Sequence, residues 1–110
     1  MTADRNRVVI VADDYQFLDT VHGPSAAIVQ EWQVANSLER LAELVVPSPL
    51  AVVIDLEAPA VDPVDALNLL NSTRSTAKIV LLTGTDLRKL ATAKRVAENL
   101  SLEVAGTLER

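Results

Sequence analysis

The 110-residue chain has no cysteine, which excludes both a disulfide framework and a thiolate metal site. That absence suits a reducing cytoplasm. Positive charge is also scarce: ten Lys and Arg stand against fifteen Asp and Glu, a formal charge of −5 at pH 7. Nucleic acid and anionic lipid are polyanions that such a surface repels, so neither is expected as a partner and no membrane association is expected. No apolar run approaches the roughly 20 residues that span a bilayer. The polar, charged stretch Met1–Arg7 does not read as a signal peptide. Repeats, low-complexity tracts and internal linkers are missing as well. Histidine occurs once, as His22 beside Gly23-Pro24, with no evident neighbour that would make it a catalyst. What remains is one intracellular globular domain, and a hydrophobic content of 49 % is ample for its core.

The chain is organised around Leu50-Ala51-Val52-Val53-Ile54-Asp55-Leu56. A continuous apolar run without polar alternation is the habit of a central parallel strand covered by helices on both faces. Asp55 sits where that strand emerges. A carboxylate left inside would be costly, so it is expected to face a crevice holding water, a cation or a reacting group. Arg7-Val8-Val9-Ile10-Val11-Ala12 repeats the pattern and also stops at acids, Asp13 and Asp14.

The remaining stretches alternate strand with helix. Residues 15–30 predict a first helix interrupted by Gly23-Pro24, because proline removes a helix hydrogen bond and clashes with the preceding turn. Glu31–Ala35 reads as a strand near the sheet edge, with Trp32 as a packing residue. Asn36 followed by Glu39 resembles a capping pair ahead of Leu38, Leu41, Ala42 and Val45 at helical spacing. Asp62-Pro63-Val64-Asp65 starts a further helix, with Val64, Leu67 and Leu70 toward the sheet. Ala77–Leu82 forms a fourth strand, running into Thr83-Gly84-Thr85-Asp86. Leu87, Leu90, Ala93, Ala97 and Leu100 mark the last helix, and Leu102–Leu108 the last strand. Strands alternating with helices imply an α/β doubly wound parallel sheet, with ligands at the carboxyl ends of the strands. Asp13, Asp14, Asp55 and Thr83 all fall at such ends.

Val9-Ile10-Val11-Ala12-Asp13-Asp14, Val53-Ile54-Asp55-Leu56-Glu57-Ala58-Pro59 and Leu81-Leu82-Thr83-Gly84 resemble the CheY-like receiver domain of bacterial two-component response regulators. The likeness runs through most of the chain, residues 1–110 being read as one receiver domain, and implies a flavodoxin-like fold of strand order 2-1-3-4-5. It implies Asp55 as phosphoacceptor, Asp13 and Asp14 as Mg²⁺-binding acids together with Asp55, the backbone of Glu57 completing the metal shell, and Thr83 as the hydroxyl on the phosphoryl group. Three crowded carboxylates and a hard divalent cation are chemically consistent with that set. Where the family carries a lysine at the end of the fifth strand this chain has Arg110, and Thr107 occupies the place of a switch aromatic. Arginine supplies charge without the compact ammonium geometry.

The resemblance implies a histidine kinase or phosphotransfer protein as partner, and a signalling domain rather than an enzyme. The final helix of the family is absent, which implies a piece of a longer protein with a C-terminal output domain. It also leaves Val104 and Leu108 to be covered by a partner, a second copy making a homodimer among them. Leu87–Leu90 and the ending Leu102–Glu109 resemble receivers joined to EAL phosphodiesterase domains. Against the switching receiver stands a pseudo-receiver, a protein-binding module that is not phosphorylated, suggested by Arg110, Thr107 and the broken first helix.

Overall fold

In a computed structural model the described residues are 7–12, 31–46, 48–56, 61–84 and 87–109. They form five strands and three helices: β1 (Arg7–Val11), β2 (Glu31–Ala35), α1 (Leu38–Leu44), β3 (Ala51–Asp55), α2 (Pro63–Ser72), β4 (Lys78–Thr83), α3 (Leu87–Asn99) and β5 (Val104–Glu109). The expected first helix falls at residues 15–30, outside the described residues.

All four strand pairings are parallel, in the order β2-β1-β3-β4-β5. The doubly wound order read from the sequence is therefore the observed one. Register places β-branched and leucine side chains in rows across the sheet: Val9 opposite Val52 and Val52 opposite Ile79, then Val11 opposite Ile54 and Ile54 opposite Leu81. Because side chains alternate along a strand, these rows share one face. There they pack with Leu41 and Leu44 of α1, Leu67 and Leu70 of α2, and Ala93 and Ala97 of α3. Val8, Ile10, Val53 and Leu82 form a second buried cluster, with Trp32 and Val34 against it. Burying each such Leu, Ile or Val contributes about 1.5–3 kcal/mol, so the doubly buried β1 and β3 dominate the stability.

Helix boundaries follow local chemistry. The Asp62 carboxylate accepts a hydrogen bond from the Val64 backbone N–H at 2.8 Å, with Pro63 in the first turn, where its missing N–H costs nothing. For α1 the cap lies one residue later than the sequence pattern suggests. Ser37 Oγ, not Asn36, accepts from the Arg40 N–H at 3.1 Å. This phase turns Leu41 and Leu44 inward and leaves Leu38, expected on the apolar face, 41 % exposed. Leu87 is likewise 69 % exposed rather than in the core, while Ala93 and Ala97 are buried as expected.

Both longer helices end in the same motif without glycine. After α2, Ser75 N–H donates to Leu70 O and Arg74 N–H to Asn71 O; after α3, Leu102 N–H donates to Ala97 O and Ser101 N–H to Glu98 O. These are Schellman closures, and their turning residues Arg74 and Ser101 have φ of 55° and 57°.

Arg7 is 6 % exposed, although it reads as a strand-leading charge. Its Nη1 donates to Gln33 Oε1 of β2 at 3.0 Å and to the Leu44 carbonyl at the end of α1. No basic residue lies in the last turn of α1 itself, so β1 supplies the cation that this end of the helix dipole favours.

Two substitutions should move stability in opposite directions. Arg7→Met strands the buried Leu44 carbonyl and should cost about 2–3 kcal/mol in urea unfolding. Ser101→Gly removes a left-handed penalty and should raise stability by about 0.5–1 kcal/mol in the same assay. An unchanged midpoint for Arg7→Met would contradict the role given to that guanidinium.

Candidate functional site at the carboxyl rim of the sheet

The carboxyl ends of β3 and β4 bring two of the expected site residues to one rim. Asp55 closes β3 and is paired in register with Leu82, the residue before Thr83, which closes β4. Asp55 is 2 % exposed and Thr83 4 %, the two acceptor-bearing side chains among the described buried residues of the sheet's carboxyl rim. The ladder continues one step past Asp55, with Leu56 N–H donating to Leu82 O at 2.9 Å. Ala12 N–H donates to Ala35 O at 3.2 Å and so extends β1 in the same direction. The first of these bonds ties the backbone next to Asp55 to β4.

A carboxyl group at this depth needs polar partners, because a buried polar group without them is costly. Packing alone does not explain an acid at this position. The Thr83 hydroxyl, also buried, makes a weak contact with the Gly84 carbonyl at 3.5 Å, the outer limit of a hydrogen bond. Thr83 ends the strand next to the one that Asp55 ends.

Asp13, Asp14, Glu57 and Arg110 lie outside the described residues. Among the described residues no three His, Cys, Asp or Glu side chains gather as a metal site, Asp55 being the one described member of the expected acidic set. On β5, Glu109 pairs in register with Thr83, and Arg110 follows it in sequence.

The last strand departs from the expectation of exposed apolar side chains. Val104 is half-buried and packs against the main core, whereas Ala105, Gly106 and Thr107 are exposed. The Leu108 side chain lies outside what is described. Thr107 lines a cavity of about 350 Å³ between α3 and β5 with Lys94, Glu98 and Val104.

No family model matches the chain, and no curated protein does. Solved structures do match. The chain is similar to full-length FixJ from B. japonicum with a TM-score of 0.71 at 16 % identity, over 96 % of this chain and 50 % of that one. A response regulator from Colwellia psychrerythraea gives 0.71 at 24 % identity, over 96 % of this chain and 85 % of that one. The signal receiver domain of an HD domain-containing protein from Pseudomonas fluorescens Pf-5 gives 0.72 at 18 %, over 96 % and 76 %. The fold is that of response-regulator receiver domains, as the sequence resemblance implies. The chain spans half the length of FixJ.

The weak contact of Thr83 is testable. Thr83→Val keeps the branched shape and removes the hydroxyl, and should change unfolding stability by less than about 1 kcal/mol. A loss well above that would mean that the hydroxyl is structural.

Proposed function

We propose that this domain is a two-component signal receiver that accepts a phosphoryl group on Asp55 with Mg²⁺ and signals through a conformational change. The observation that carries the reading is a buried carboxylate ending the central strand, with a weakly engaged buried hydroxyl ending the strand beside it.

An Asp55 carboxylate oxygen attacks the phosphorus of a phosphohistidine on a histidine kinase or phosphotransfer protein. The O–P bond forms as the N–P bond breaks, and the imidazole leaves with the bonding pair and takes up a proton. The Thr83 hydroxyl donates to a phosphoryl oxygen, a contact stronger than the one it makes with Gly84 because the acceptor is charged. The Asp13, Asp14 and Asp55 carboxylates and the Glu57 backbone carbonyl are the hard oxygen donors that would hold Mg²⁺, which supplies positive charge to offset that of the phosphoryl group. Arg110 supplies a second cation from the end of β5. Its planar guanidinium favours two-oxygen contacts over the single compact contact of an ammonium, so it stabilises the phosphorylated form less well than a lysine does.

In this reading the domain is a signalling module of the cytoplasm rather than an enzyme, and it works through an output domain. An HD domain-containing protein is among the structurally similar proteins, and an EAL phosphodiesterase output rests on the sequence resemblance alone. No helix among the described residues is long and apolar enough to cross a membrane.

Treatment with acetyl phosphate and Mg²⁺ should add one phosphoryl group to the wild type by mass spectrometry and none to Asp55→Asn, and chelation should abolish the reaction. Amide shift changes on phosphorylation should be larger in Arg110→Lys than in the wild type. No adduct on Asp55 would overturn the reading in favour of a non-phosphorylated binding module.

A further inference from the structure

The acidic character of the chain is unevenly spread. α3 carries four of the ten cationic side chains, Arg88, Lys89, Lys94 and Arg95, against one acid, Glu98, a net +3 within a total of −5. All four are exposed. With Ala93 and Ala97 turned into the core, the helix presents Arg88 and Lys89 on its α2 side and Lys94 on its β5 side.

On the α2 side lies a groove of about 310 Å³. Its apolar lining comes from Leu56, Pro63, Val64 and Ala93, while Arg88 and Lys89 form the α3 wall. The α2 wall carries Asp62, whose carboxylate holds the Val64 N–H as helix cap. The groove is thus apolar at its base, cationic along one wall and anionic at one point of the other.

We propose that this groove docks an acidic peptide segment of a partner protein, one aliphatic or aromatic side chain entering between α2 and α3 and the flanking carboxylates facing Arg88 and Lys89. Charge complementarity selects this occupant. The opposite-charge wall belongs to a chain whose remaining surface is acidic, so an acidic peptide is attracted here and repelled elsewhere. A nucleic acid strand is favoured less because no aromatic side chain lines the groove for base stacking. A lipid surface is favoured less because the slot is concave and one wall holds a carboxylate. The proposal stands apart from phosphorylation of Asp55 and is tested on the unmodified protein.

The probe is a short fluorescein-labelled peptide with a Leu-Phe pair set between glutamates, titrated by polarisation and by amide shift mapping. Saturable binding is expected, with shifts at Leu56, Val64, Arg88, Lys89 and Ala93. The double variant Arg88→Glu, Lys89→Glu should weaken it by about tenfold or more, and Lys94→Glu, on the other side of the helix, by no more than about twofold. Circular dichroism establishes that the variants are folded. A matched peptide with the Leu-Phe pair replaced by serines tests the apolar anchor on wild-type protein alone. The proposal is overturned by absence of saturable binding, by equal affinity for the serine peptide, or by equal sensitivity to Lys94→Glu. Tighter binding of phosphatidylglycerol vesicles or of a thymidine oligonucleotide to the same residues would overturn it equally.

Discussion

The structure depends on β3 being buried on both faces. A strand with apolar side chains above and below cannot sit at an edge or beneath a solvated layer, so β1 and β4 must flank it and apolar side chains must cover it. Val52 and Ile54 meet the helices of one face, and Val53 joins the opposite cluster. Asp55 gains its meaning from this arrangement. It is the residue at which a wholly apolar strand runs out, and the hydrogen bond from Leu56 to Leu82 keeps it at the rim instead of letting the chain swing it into solvent.

The helices are fastened to that sheet by small, local devices whose individual worth is about 1 kcal/mol. Ser37 and Asp62 cap the starts, and paired backbone bonds close the ends after Ser72 and Asn99. Arg7 differs in kind, since one guanidinium ties β1 to β2 and to the end of α1. By contrast, the exposed pairs Arg40–Glu43 and Lys78–Glu103, at 3.2 and 2.6 Å, add little because water screens both partners.

Charge is segregated along the chain in a way that the net value conceals. Acids gather around the strand ends in sequence, at Asp13, Asp14 and Asp55, while α3 concentrates cations a short distance along the chain from Thr83. Leu56 follows Asp55 in sequence and also lines the α2–α3 groove.

The apolar runs around Val9, Val53 and Leu81, their period and their spacing by helical segments determined the sheet, its parallel sense and the placement of Asp55 and Thr83 at one rim, because burial on two faces leaves a signature in consecutive residues. Asp62-Pro63 was equally legible, since a cap acts on N–H groups only a few residues away. The cap at Ser37, the exposure of Leu38 and Leu87 and the partial burial of Val104 were decided by the tertiary structure, which sets the rotation of each helix and the packing of an edge strand against its neighbours. The same holds for Arg7 and the α2–α3 groove. Their partners lie up to 37 residues away in sequence, and only the packed fold brings such distant groups within reach.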